Sequence, residues 1–313
     1  MKEIYYQLKN YWIKDVKVAY LISLWLFLGV AIYFNYQLDF ENLILHPRSR
    51  TNIYPFLIVA YYGIPYSYAF ILYAYFYKAW YIFRLKKFWI SVLVAIMALT
   101  LNETFYWHLK WIETHISIPA DMHFTYDCAQ NFISAFLYSL PILVYWIYYD
   151  RKRIPLYGFS NKKFKAKPYF MMLAFMLPLL IVASFRSDFL ENYPVYNDWG
   201  FSIIHNLPKW ISVSLFEFCY GLDFVAVEFL FRGFMVIALI DVLGADSILP
   251  MATVYCVYHF GKPCGETIGA FFGGTILGII AYNSRSIYGG IFVHLGIAFL
   301  MELLAFLQKC NFF

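Results

Sequence analysis

The sequence predicts an all-α fold, a polytopic transmembrane bundle of about eight or nine spans. Three observations carry this reading. Of 313 residues, 62% are apolar and only 14% charged, with a mean hydropathy of +0.60. Soluble chains are closer to one quarter charged, so this one cannot coat a water-facing surface. Apolar stretches long enough to cross about 30 Å of hydrocarbon recur along it. Lys and Arg concentrate in alternate connections, as positive-inside loops do. These features exclude an ordinary soluble enzyme, a disordered chain and a nucleic-acid module. The net charge of +5 follows from loop Lys and Arg, so no nucleic-acid partner is expected; membrane lipids are.

The first apolar run begins near Val18, after Lys2, Lys9, Lys14 and Lys17, and continues to about residue 36. No small-residue cleavage pattern follows, so it reads as a retained helix rather than a signal peptide. Further spans are expected over 55–76, 88–101, 131–149, 169–185, 210–240, 248–259, 266–282 and 287–307. Those at 88–101 and 248–259 are short for a full crossing. Arg84, Lys86 and Lys87 follow the second span. Arg151, Lys152, Arg153, Lys162, Lys163, Lys165 and Lys167 stand against Asp150 in the 150–167 connection. The alternate connections carry Glu103, Glu113, Asp121 and Asp127, then Asp188, Glu191 and Asp198. The N-terminus is therefore expected in the cytoplasm. The 30 Tyr and 9 Trp fit aromatic belts at both interfaces.

Cys128, Cys219, Cys256, Cys264 and Cys310 are odd in number and form no CxxC pair. They read as packed thiols rather than a disulfide framework or cysteine-rich zinc site. His108, His115 and His123 fall with Asp121 in one connection without a zinc-like spacing, and His46 and His205 read as interfacial. Gly269, Gly273, Gly274 and Gly278 follow small-xxx-small spacing and predict a close helix-packing face.

Chemistry belongs to the second half; up to about residue 154 the expected spans are almost free of charge. An ionisable group at the bilayer centre is costly and usually meets a partner or a cavity. The 210–240 span holds Glu217, Asp223, Glu228 and Arg232, the next ends at His259, and the last carries His294 and Glu302. Counting about 1.5 Å per residue from the expected cytoplasmic ends puts Glu228 roughly 20 Å deep, His259 roughly 18 Å and His294 roughly 12 Å. A carboxylate and two imidazoles in one layer can take a proton from water, or hold a divalent metal such as zinc that acidifies it. No cofactor is certain; His259, His294 and Glu228 are the donors such an ion would use. Glu228 and Arg232 share a helix face and can pair. The same pair also reads as a plain intramembrane salt bridge.

These residues carry a resemblance. Residues 227–233, VEFLFRG, resemble the EExxxRG motif of the CAAX-protease and bacteriocin-processing family of intramembrane proteases. Residues 255–259, YCVYH, are similar to its FxxxH motif. HFGKPCGE at 259–266 looks like the HxxKPxxE extension of bacterial members, and HLGIA at 294–298 sits where the family has HxxxN. The resemblance covers about 168–307. It implies a CAAX-protease-like membrane core there, N-terminal helices of unassigned role at 1–167 and a short tail at 308–313.

It also implies an intramembrane endopeptidase acting on a peptide or protein substrate, and a bacterial inner membrane as its location. Glu228 takes the second-Glu position, Arg232 the Arg position, His259 the water-activating His and His294 the oxyanion-site His. Val227 stands in the first-Glu position and Ala298 in the Asn position. Asp223 lies one turn before Val227 and Glu302 one turn after Ala298, so a site displaced by about 6 Å with Asp223 or Glu228 as base is expected. The alternatives are a catalytically degenerate relative that binds a peptide or lipidated tail as a subunit of a membrane complex and, ranked lower, a transporter.

Overall fold

The computed structural model describes residues 2–160 and 164–310, and among them every regular element is helical. Lys162 and Lys163 of the basic connection, and residues 311–313 of the expected tail, lie outside the described residues. The helices are α1 (Lys2–Asn10), α2 (Val18–Leu38), α3 (Tyr54–Tyr77), α4 (Lys86–Thr104), α5 (Trp107–His115), α6 (Pro119–Tyr145), α7 (Ala166–Ser184), α8 (Ser187–Asn192), α9 (Phe201–Ile204), α10 (Lys209–Glu228), α11 (Ile240–Leu243), α12 (Ile248–Val257), α13 (Cys264–Ser284) and α14 (Tyr288–Lys309). Among the described residues seven segments are long and apolar enough to cross a membrane: α2, α3, α4 with α5, α6 with the π-helical turn after it, α7, α13 and α14. The other two expected spans are also helical. α10 is rich in acids, and α12 has ten residues, all buried.

Helix ends follow local chemistry. Asp39, Lys78 and Arg285 close α2, α3 and α13 in the left-handed conformation, and each cap N–H returns to a carbonyl of the last turn. Pro55 and Pro119 sit in first turns, where the missing N–H costs nothing.

The bundle is apolar on both sides. Leu93 is 64% exposed and Phe175 70% exposed, as expected where hydrocarbon rather than water surrounds the helices. Inside, α12 packs against α3 and α13, α6 against α10, and α7 against α14. α12 is the axis of this arrangement and carries the second motif. Polar groups gather toward one end: Lys87 Nζ lies 3.2 Å from Asp150 and 3.8 Å from Asp241, and the Ser286 hydroxyl donates to Ser160 O at 2.6 Å.

Two expectations change. The first half is not free of polar chemistry. α4 runs on to Thr104, so Glu103 enters the bundle and accepts from the Tyr62 hydroxyl at 3.4 Å. The glycine stripe of α13 also divides. A Cβ on Gly274 or Gly278 would press on Tyr255 or Met251, whereas Gly269 and Gly273 face open space. Gly269/Gly273 and Gly274/Gly278 are two i, i+4 pairs on different faces, with Gly273 and Gly274 about 100° apart around the helix, and only the second pair meets α12.

Candidate functional site

α10 ends at Glu228 and continues into a π-helical turn, Phe229–Phe234. Arg232 Nη1 donates to Glu228 Oε1 at 2.8 Å, and both residues are fully buried. α14 brings His294 alongside, with Nδ1 3.0 Å from the same carboxylate oxygen. Gly290, one turn earlier, makes this approach possible: a Cβ there would collide with Glu228 Oε2. α12 contributes Tyr255, whose hydroxyl lies 3.2 Å from His294 Nε2. Its ring lies 4.2 Å from the Arg232 guanidinium carbon, in cation–π range.

His259 follows one turn after Tyr255. Its Nδ1 lies 2.8 Å from Tyr255 O, and the two rings meet edge-on at 4.5 Å. Donation from Nδ1 to that carbonyl leaves Nε2 with a free lone pair. The turn bearing His259 is held from α2: Asn35 Nδ2 donates to Phe260 O at 3.0 Å and the Tyr36 hydroxyl to Lys262 O at 2.5 Å. The Thr267 hydroxyl donates to His259 O. The N-terminal helices thus fix the position of a motif histidine.

The structure brings Glu228, Arg232 and His294 together and joins His259 to them through Tyr255. Asp223 is turned elsewhere, accepting from the Ser134 hydroxyl of α6 at 2.5 Å. Glu302 accepts from the backbone N–H of Val195 at 2.7 Å and of Tyr196 at 3.1 Å. Glu266 accepts from the Tyr193 hydroxyl at 3.0 Å. The acids expected to shift the site are therefore engaged in other contacts. Val227 and Ala298 are buried in apolar packing.

Sequence reasoning placed Tyr255 only as a replacement for the motif phenylalanine. Its hydroxyl is the signal that separates it from that residue. Gly290, Asn35 and Tyr36 carried no motif and emerge only from the packing. Of the outlying histidines, His123 stacks on Trp199, with ring centroids 4.6 Å apart, and His205 lies 2.6 Å from Asp121, whereas both ring nitrogens of His108 are buried without a hydrogen-bond partner.

No group of three or more His, Cys, Asp and Glu is arranged to hold a metal ion among the described residues. Both His294 nitrogens and Glu228 Oε1 are already engaged, and His259 offers one nitrogen.

Several buried polar atoms at the site have no partner: Glu228 Oε2, Arg232 Nε and Arg232 Nη2. In a buried setting such atoms are costly unless water or a ligand satisfies them.

Residues 209–300 match the family model described as type II CAAX prenyl endopeptidase Rce1-like. The match contains all five of Asp223, Glu228, Arg232, His259 and His294. No curated protein and no solved structure matches the chain. Among the described residues the chain is all-helical with helices long and apolar enough to cross a membrane, and its C-terminal half contains the CAAX-protease-like match.

Proposed function

We propose that the protein hydrolyses a peptide bond within the membrane, with its two imidazoles handling the protons. The observation that carries this is the placement of His294 between Glu228 and Tyr255. Donation from Nδ1 to the carboxylate fixes the ring orientation and leaves Nε2 to accept from the Tyr255 hydroxyl. His259 has its Nδ1 held by a carbonyl and its Nε2 left as the basic nitrogen. Glu228 is a positioning residue for His294, and Arg232 balances its charge.

A water taken up beside these nitrogens would give its proton to one imidazole while its oxygen bonds to the scissile carbonyl carbon. The resulting oxyanion would meet the Tyr255 hydroxyl or the unpartnered Arg232 N–H groups. Cleavage of the C–N bond returns the proton to the leaving amine. Glu228 Oε1 holds Arg232 and His294 while Asp223 faces Ser134, so on this reading the imidazoles take the proton, and Glu228 Oε2, which has no partner, is left to orient the water.

A second reading rests on Val227 and Ala298, apolar where the family motif has Glu and Asn. On it the chain binds a peptide or lipidated tail without cutting it, as part of a membrane complex. Reconstituted protein offered a fluorogenic prenylated C-terminal peptide separates the two. Cleavage lost in His294→Ala and His259→Ala supports hydrolysis. Binding without cleavage, unchanged by both substitutions, supports the second reading. The positive-inside pattern and the family type support a bacterial inner membrane with the N-terminus in the cytoplasm.

A further inference from the structure

Two recesses meet where α2 ends. One, of about 500 Å³, is an apolar groove between α2 and α13, walled by Trp25, Leu28, Ile32, Phe271 and Phe272. The other, of about 270 Å³, is polar and lined by Asn35, Asp39, Glu41, Asp188 and Lys262. Tyr36 and Cys264 line both. Because α2 stops at Leu38, the apolar groove lies along a membrane-spanning helix and the polar recess at its end. This is the order in which a phospholipid presents acyl chain and headgroup.

We propose that the composite recess is a binding site for a phospholipid with a primary-amine headgroup. The amine enters the polar recess and one acyl chain fills the groove. Three independent features carry this. Asp39, Glu41 and Asp188 line the recess together with one cation, Lys262; Asp188 is already paired with Arg186 at 3.0 Å, so Asp39 and Glu41 are the acids that favour an ammonium, and Lys262 is left to answer the phosphate. Asn35 is only 6% exposed, and its Oδ1 has no partner while its Nδ2 is spent on Phe260 O. It therefore lacks a donor, which an amine supplies and a quaternary ammonium does not. Gly29 opens the groove floor, since a Cβ there would meet nothing within 4 Å. Neither His259 nor His294 lines either recess, and a lipidated peptide ending in a carboxylate would meet the acids of the polar one.

The test uses the full-length protein in detergent with equimolar phosphatidylethanolamine, phosphatidylglycerol and phosphatidylcholine, read by native mass spectrometry. The expected result is retention of phosphatidylethanolamine about fivefold above the other two, the size of one hydrogen bond against phosphatidylcholine and of one charged contact against phosphatidylglycerol. Asp39→Asn should reduce that preference, and Asn tolerates the left-handed backbone (φ 46°) at this position. Gly29→Phe should lower retention of every lipid by filling the groove. Equal retention of phosphatidylethanolamine and phosphatidylcholine, or preference for phosphatidylglycerol, overturns the headgroup assignment. Undiminished retention in Gly29→Phe overturns the groove.

Discussion

His294 Nδ1 meets Glu228 Oε1 at 3.0 Å across 66 residues of sequence. The same oxygen accepts from Arg232 at 2.8 Å. One buried carboxylate oxygen thus joins α10, the π-helical turn and α14, and ties a motif histidine to a buried ion pair. The buried ion pair and the proposed chemistry share that atom, so substitutions around it separate the two roles.

Removing one member of the buried pair strands the other charge. Arg232→Met should cost about 3–5 kcal/mol and lower the melting temperature in detergent sharply. The double variant Glu228→Leu with Arg232→Met should recover most of that loss, because no unpaired charge remains. A double variant as unstable as the single one would show that the pair is not the cause.

Tyr255→Phe keeps the ring beside Arg232 and deletes only the hydroxyl that meets His294 Nε2. Stability should change by no more than about 1.5 kcal/mol. Peptide hydrolysis should fall by about 10²-fold, the low end of proton-handling effects. Tyr255→Leu removes the cation–π contact too and should lower the melting point further. If Tyr255→Phe cleaves at the normal rate, the hydroxyl has no part in the reaction.

Two glycine substitutions should act in opposite directions. Gly290→Ala puts a Cβ into the Glu228 carboxylate and should destabilise the protein and slow hydrolysis. Gly269→Ala lies inside α13 facing open space and should stabilise by about 0.5–1 kcal/mol. Thermal melts of both variants, with cleavage rates for Gly290→Ala, check the contrast. A neutral Gly290→Ala would contradict the close helix approach.

Glu41 lies in the connection after α2, where burial pushes its carboxyl above the ordinary value and the Tyr61 hydroxyl pulls it partly back. The folded state therefore holds its proton more tightly than the unfolded chain. The protonated group's contribution to stability is complete below the unfolded value of about 4.5 and is lost as pH rises through the folded one. Glu41→Gln remains neutral and should melt above wild type at neutral and alkaline pH, with the gap closing below about 4.5. A gap independent of pH would assign the effect to packing instead.

The helical membrane class was legible from composition, because lipid-facing helices need no charged surface and the chain has few charges. The positions of Glu228, Arg232, His259 and His294 were legible from motif spacing. The i, i+4 rule correctly paired Glu228 with Arg232. The same rule placed Asp223 near the position of Val227 but could not show which helix would face it; α6 does, through Ser134. Glu103 was misread as a loop acid because hydropathy ended the span at residue 101, whereas the helix continues to Thr104.

The sequence by itself determined the class of fold, the order of the helices and the residues with which the chain can do chemistry. These follow from transfer energies and helical periodicity, which are properties of single segments. Only the tertiary structure decided which oxygen His294 meets, that Tyr255 stands between two imidazoles, and that α2 holds the turn bearing His259. Contacts between helices depend on close approach, permitted here by Gly290 and by the burial of α12 on all sides, and no periodicity within one helix encodes its neighbour.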